Sequence, residues 1–392
     1  MSNAQATRDT LAVIPHEATR AWLEQMVELT TPEQVRLVSQ ADRDELIDVC
    51  VETMGLIRLP DGNFYARSHV KDTARAVART FVASGDSKDK GLFDNWRESA
   101  EMHALQDPLF KGSMAGKTMY VVPFYTGPVT SKHRRVGVQI TDSPYVVLNL
   151  FLLYGADEPA LGALDTQGWV ARGAVATGDL DTLGQGTDDD QRYFVDYLDE
   201  CLVMSYGSNY GGNAILPKKF LSLRQAAYDA RLEGGWLAEH MLISGIQDLK
   251  TGKTRYIVGA FPSASGKTNL AMLEPPAVLK DRYRIWMVSD DLANLHIGSD
   301  GKLRAINPEH GLFGVVPGTS DASNPAAMKA IGPKAGAIFT NVAYNEKTEE
   351  LWWEEKTKEY PTNLEGWLDW QGKPIAQRPP EEQKNEEFPW AH

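Results

Sequence analysis

The sequence predicts an α/β protein of two domains: a mixed α+β N-terminal domain over residues 1–235, and a P-loop-containing domain over residues 236–392. Three observations carry this expectation. The chain has 392 residues, long enough for two or more hydrophobic cores. Helical spacing of apolar residues near the start gives way, from Met119, to short β-branched and aromatic runs. From Trp236 onward, strand and helix signals alternate around a Gly-Lys-Thr turn.

The elements follow in order. Trp22, Met26 and Leu29 recur at helical spacing after Thr19, as do Leu46, Val49 and Met54 after Asp42. Met119-Tyr120-Val121-Val122 and Val136-Gly137-Val138-Gln139-Ile140 read as strands, bounded by Gly, Pro, Ser and Asp. Residues 184–190 (GQGTDDD) read as a polar, acidic loop. A helix is expected from Pro217 to about Leu232, ended by Gly234-Gly235, and a second, short one over Trp236 to Leu242. Arg255 to Gly259 reads as a buried strand, Asn269 to Met272 as the start of a helix, and Ile285 to Ser289 as another buried strand. The segment from Asn345 to His392 carries 12 acidic and 6 basic residues and five of the ten Trp residues. That many indoles need an apolar surface to pack on, and the chain reads as stopping within a domain.

Composition excludes several classes. With 42% hydrophobic and 24% charged residues, the chain buries enough apolar surface to offset its ordering entropy, so it is not predominantly disordered. A net charge of -13 argues against a nucleic-acid partner. The basic cluster Lys132-His133-Arg134-Arg135 reads as a solvated loop. The longest apolar run, Tyr145 to Ala156, has 12 residues against the roughly 20 of a membrane span, so no membrane partner is expected. Cys50 and Cys201 are in no CxxC spacing, and MSNAQATRDT lacks the features of a signal peptide. A cytoplasmic protein is expected.

The chemistry concentrates in a few places. Between a predicted strand and a predicted helix lies Phe261-Pro-Ser-Ala-Ser-Gly-Lys-Thr-Asn269. Small residues there let backbone N–H groups face phosphate oxygens, Lys267 reaches the terminal phosphates, and the Thr268 hydroxyl serves their metal. Phe261 stands where the general pattern has its first glycine, and a Gly-Lys-Thr triplet also occurs in ordinary turns into a helix. The apolar run ending in Asp290-Asp291 would deliver an acid to a phosphate-bound metal, although one of the pair could instead cap a helix. Tyr210-Gly211-Gly212-Asn213, followed by Lys218-Lys219, offers a close backbone approach and neutral hydrogen bonds to a carboxylate, a pattern ordinary turns share. His240, four residues beyond Trp236, by itself reads as a satisfied helical residue as readily as a metal ligand.

Six motifs in one order then make the sequence specific: MAGKTMYVVPF (114–124), ITDSPYVV (140–147), SYGSNYGGNAILPKK (205–219), EGGWLAEHMLI (233–243), FPSASGKTNLAM (261–272) and LRAINPEHGLFGVVPGTS (303–320). Together they resemble the GTP-dependent class of phosphoenolpyruvate carboxykinase, from about Trp22 to His392. The resemblance implies that family's fold, with a C-terminal P-loop domain that is incomplete here. It implies a catalytic Mn²⁺ on Lys219, His240 and Asp291, Lys219 binding as the neutral amine. Ser263, Ala264, Ser265, Gly266, Lys267, Thr268 and Asn269 would hold the nucleotide phosphates, with Thr268 on their Mg²⁺. Arg75, Tyr210, Gly211, Gly212 and Ser263 would hold substrate, and Arg75, Lys219, Ser265 and Lys267 would be catalytic.

The implied reaction converts oxaloacetate and GTP to phosphoenolpyruvate, CO₂ and GDP, a step of gluconeogenesis, through an enolate that takes the terminal phosphoryl group. When complete, such a protein is expected to be a monomer. Two departures stand out. Ser265 replaces a reactive Cys of the family, and the family chain continues well past the match to Trp390-Ala391-His392, into guanine-binding aromatics and a lid. A pyrophosphate-dependent relative and a non-catalytic remnant therefore stand beside the GTP-dependent carboxykinase, and this chain alone is expected to show little carboxykinase activity.

Overall fold

The computed structural model describes residues 3–69, 72, 76–90, 95–131, 133–166, 170–178, 191–261 and 265–377. The chain divides into two compact units, Met1–Leu56 with Ser68–Gln225, and Ile57–Arg67 with Ala226–His392. No described helix is long and apolar enough to cross a membrane.

The first unit is built on a mixed eight-stranded sheet. Its order is Gln34–Leu37, Thr118–Thr126, Arg135–Thr141, Ala171–Ala176, Leu202–Tyr206, Tyr193–Tyr197, Thr80–Ser84 and Trp96–Glu98. Thr118–Thr126 runs antiparallel to Arg135–Thr141, and Leu202–Tyr206 antiparallel to Tyr193–Tyr197; the other five neighbouring pairs are parallel. The central strands are continuous apolar runs rather than alternating ones because both their faces are covered. Eight of the nine residues of Thr118–Thr126 are accordingly buried.

Both expected N-terminal helices form, as Glu17–Thr30 and Arg43–Met54. The first turns Trp22, Leu23 and Met26 into the core, and His16 accepts a hydrogen bond from the Thr19 N–H at its start. Pro144–Leu153 is apolar on every side and buried almost throughout, opened by Ser143, whose Oγ accepts from Val146 N–H, and by Pro144 in its first turn. Behind it Gly155 is obligatory. A Cβ there would lie 2.1 Å from the ring of Tyr125, whose backbone exchanges hydrogen bonds with Gly155. Cys50 and Cys201 are both buried free thiols.

Residues Pro217 to Glu233 are helical as expected, but the first nine, Pro217–Gln225, are wound as a π-helix before Ala226–Glu233 continues as α. Gly234 and Gly235, at φ of 72° and 81°, end it in a conformation other residues rarely adopt.

In the second unit the expected helix over Trp236 to Leu242 is instead strand. Trp236–Glu239 pairs antiparallel with Ala293–Ile297, and Met241–Asp248 begins one residue later. The four-residue spacing of Trp236 and His240 mimicked a helical face, but a chain leaving a double glycine had nothing to nucleate a turn and found an open strand edge instead. Met241–Asp248 is the middle of a three-stranded antiparallel sheet between Thr254–Ala260 and Tyr283–Ser289. Both flanking strands were expected. Their expected burial is not found: Tyr256, Ile257 and Val258 are 64%, 43% and 39% exposed and Ile285 to Val288 are only half-buried, because both strands lie at the edges of this sheet.

Tyr344-Asn345 pair with both Glu350–Trp352 and Trp367–Leu368, giving the Trp-rich segment a small sheet of its own. Trp352 and Trp367 bury around Ala343 and Ile375, and Trp353 stacks on Phe339 at 5.7 Å, which supplies the expected apolar surface. Finally, Ile57–Arg58 and Phe64–Ala66 form a sheet with Ile338–Thr340. The expected loop at 184–190, Lys132 and Trp390 lie outside the described residues.

Candidate functional site

In the second unit, three side chains from three separate stretches meet at one carboxylate oxygen. His240 is the single residue between two strands of different sheets, so its ring is placed at a corner of the chain. Asp291 follows the strand Tyr283–Ser289. A tight turn holds it there: Ser289 Oγ donates to Leu292 O at 2.6 Å and accepts from Leu292 N–H at 3.3 Å. A register shift between Ile243 and Ser244, where Met241–Asp248 pairs with Tyr283–Ser289, bends the sheet beside these two residues. Lys267 opens the helix Lys267–Ala271 behind Gly266, whose φ of 85° requires glycine.

The His240 Nε2 lies 2.6 Å from Asp291 Oδ1, and the Lys267 Nζ donates to that same oxygen at 2.7 Å and to the Asp291 carbonyl at 3.2 Å. Lys267 is 7% exposed, so its ammonium is an almost fully desolvated charge lying on the carboxylate. Asn269, in the same short helix, accepts from Asn324 Nδ2 at 2.8 Å, which ties the loop to the start of Pro325–Ala330. Ser265, Gly266 and Thr268 are exposed. Ser263 and Ala264 lie outside the described residues.

An imidazole nitrogen and a carboxylate oxygen at this separation form part of a donor set suited to a hard or borderline divalent cation, and the position already holds a positive charge, the Lys267 ammonium. The residues present therefore fit a divalent metal. Among the described residues no group of three His, Cys, Asp or Glu stands at metal-ligand spacing. Lys219 belongs to the first unit, half-buried in the π-helical turn, a kind of distortion frequent at functional sites.

The first unit holds the second cluster. The loop from Gly207 to Tyr210 follows the strand Leu202–Tyr206, and Gly211–Ala214 is a single helical turn. Tyr210, Gly211 and Gly212 are all buried. Beneath the loop is Asp72, with none of its side chain exposed. Burial pushes its carboxyl upward, opposed by Ser208, by Arg192 and by the N–H groups of Asn209 and Tyr210. Sequence reasoning missed Asp72 and Arg192. Asp72 stands alone among polar residues, three positions before Arg75, with no periodicity that would mark it as buried. Arg75 itself lies outside the described residues.

The family model for the phosphoenolpyruvate carboxykinase N-terminal domain matches residues 21–231, and that for the C-terminal P-loop domain of the same enzyme matches residues 236–392. This chain belongs to the GTP-dependent phosphoenolpyruvate carboxykinase family. It is similar to the phosphoenolpyruvate carboxykinase (GTP) of Corynebacterium jeikeium, with 42% identity over 88% of this chain and 58% of that protein. It is also similar to those of Chlamydia abortus, with 40% identity over 92% of this chain and 60% of the relative, and Anaeromyxobacter dehalogenans, with 39% identity over 95% and 60%. The chain thus spans about three fifths of the length of these carboxykinases, including both the Tyr210 loop and the Lys267–Asp291–His240 cluster.

Proposed function

We propose that the protein is a GTP-dependent phosphoenolpyruvate carboxykinase, a cytoplasmic carboxy-lyase that converts oxaloacetate and GTP to phosphoenolpyruvate, CO₂ and GDP. The observation that carries the reading is the meeting of Lys267 and His240 on Asp291 Oδ1. The names of the relatives favour GTP over pyrophosphate as the phosphoryl donor.

In this reading residues 1–235 bind the carboxylate substrate and residues 236–392 bind nucleotide and metal, and the enzyme, when complete, works as a monomer. Arg75, Tyr210, Gly211, Gly212 and Ser263 hold the carboxylates of oxaloacetate, so that its C–CO₂ bond breaks with the departing electron pair delocalised into the enolate. Ser263, Ala264, Ser265, Gly266, Thr268 and Asn269 cradle the triphosphate. Lys267 leaves Asp291 for the terminal phosphates and neutralises charge as the enolate oxygen attacks phosphorus and GDP departs. Ser265 is nearly isosteric with the family's Cys and is compatible with turnover. Lys219, His240 and Asp291 would hold a Mn²⁺ and Thr268 would meet a nucleotide-bound Mg²⁺; when bound, these ions supply Lewis-acid stabilisation of the enolate and phosphoryl charge.

Electron paramagnetic resonance titration with Mn²⁺ tests the site directly. His240→Ala should weaken binding more than about tenfold; unchanged affinity would dismantle the metal assignment.

A further inference from the structure

Four consecutive residues of the loop before Gly211 are held by one buried ion pair. Ser208 Oγ donates to Asp72 Oδ1 at 2.6 Å, and the N–H groups of Asn209 and Tyr210 donate to Asp72 Oδ2 at 2.8 and 3.0 Å. Arg192 lies 4.0 Å from Asp72 Oδ1, and its Nε donates to the Gly207 carbonyl at 3.1 Å. Ser208 Oγ in turn accepts from Tyr210 N–H and from Asn213 Nδ2, both at 3.2 Å. Asn209 Oδ1 accepts from Ser143 Oγ at 2.8 Å, the hydroxyl that caps Pro144–Leu153.

Buried ion pairs are inefficient stabilisers, since apolar residues of similar volume commonly serve as well or better. What an apolar plug cannot do is direct the N–H groups of Asn209 and Tyr210 to one point, and so fix the backbone from which the Tyr210 side chain projects. We infer that Asp72 is a positioning residue for Tyr210 in its contact with a carboxylate ligand. This rests on the carboxylate-binding reading of Tyr210.

Asp72→Asn is the sharp variant. If its amide nitrogen replaced Oδ2, it would face two N–H donors. If it replaced Oδ1, Ser208 Oγ would have to accept from three donors with two lone pairs. Neither orientation satisfies the loop, while volume and shape are kept.

The test is calorimetry on the full chain, with oxalate as the carboxylate probe and inorganic pyrophosphate as the probe for Lys267. Tyr210→Phe should weaken oxalate. Asp72→Asn should weaken it about tenfold or more and leave pyrophosphate within twofold. The double variant Asp72→Asn/Tyr210→Phe should bind oxalate no more weakly than the weaker single, because one change acts through the other, whereas a general structural role gives additive losses. If Tyr210→Phe leaves oxalate untouched, the ligand reading fails and this inference with it. If Tyr210→Phe weakens oxalate but Asp72→Asn does not, or the losses add, the positioning role alone is overturned. Should Asp72→Asn not fold, Ser208→Ala takes its place, with a smaller loss expected and the same non-additivity; an additive or absent effect overturns the proposal.

Discussion

A single carboxylate oxygen, Asp291 Oδ1, is claimed by two groups, and this creates a competition. In the proposed reading, a divalent cation on Asp291 would displace the Lys267 ammonium, which would then be released toward phosphate. Cation and triphosphate should therefore tighten each other's binding. Lys267→Ala should weaken pyrophosphate while raising Mn²⁺ affinity several-fold, read by calorimetry and paramagnetic resonance respectively; a loss of both would mean that Lys267 does not compete for the carboxylate.

A second residue-scale prediction concerns His103, between Asp107 at 3.1 Å and Glu200 at 3.0 Å and stacked on Tyr197. The hydrogen bonds that its ring donates to Asp107 and Glu200 raise it from its ordinary 6.5 to about 9. A raised folded-state value means the stabilisation is complete below about pH 6.5 and fades as pH climbs through about 9. Solvent screening of the partly exposed carboxylates limits it to about 1–2 kcal/mol. His103→Phe, which keeps the stacking, should be less stable than the parent at pH 6 and nearly equal at pH 10 in urea titrations. The sequence displayed the Gly-Lys-Thr turn and the paired Asp residues because those signals are local. No local signal displays their convergence with His240, which is 51 residues from Asp291; only the family resemblance put those two together, and it did not put Lys267 on the same oxygen.

Among the elements, the sheet around Met241–Asp248 depends on a glycine. Gly245 pairs with Tyr256 on one side and Trp286 on the other, whose rings meet edge-on at 5.9 Å, and a Cβ at Gly245 would lie 2.2 Å from the indole. Gly245→Ala should push that ring off the strand and destabilise by about 1–3 kcal/mol. A lowered urea midpoint with altered tryptophan fluorescence would show it; an unchanged midpoint would mean the ring relocates freely. The strands on either side of the P-loop were legible because β-branched and aromatic residues run together in them. Trp236–Glu239 was not, since four residues carry too little periodicity to separate strand from helix, and the partner strand is Ala293–Ile297, far along the chain. The edge exposure of Tyr256 was equally hidden, because an apolar run has the same composition whether its neighbours cover one face or both.

At the level of the whole molecule, the chain leaves the first unit after Leu56, contributes Ile57–Arg67 to the second, and returns at Ser68. Nothing in those 11 residues announces this, because the recipient strand Ile338–Thr340 is remote in sequence. Asn63 is the clasp: its Nδ2 donates to Ile331 O and Gly332 O at 3.3 and 3.1 Å, and its Oδ1 accepts from Ala337 N–H at 3.0 Å. Asn63→Ala should cost about 1–3 kcal/mol by leaving these part-buried backbone groups unpaired. In hydrogen exchange, amides of Ile338–Thr340 should open faster while those of the eight-stranded sheet keep their rates; equal acceleration in both would argue against a local clasp. The excursion also sets a timetable for synthesis. Asn63 emerges from the ribosome 274 residues before Ala337, and at 5–20 residues per second that is a delay of roughly 15–50 s. Throughout that interval Tyr65 and its neighbours have only the two-residue strand Ile57–Arg58 to pair with and lack Ile338–Thr340 on their other edge, so a nascent chain is most open to mispairing or proteolysis at Asn63 to Ala66, which the finished protein buries.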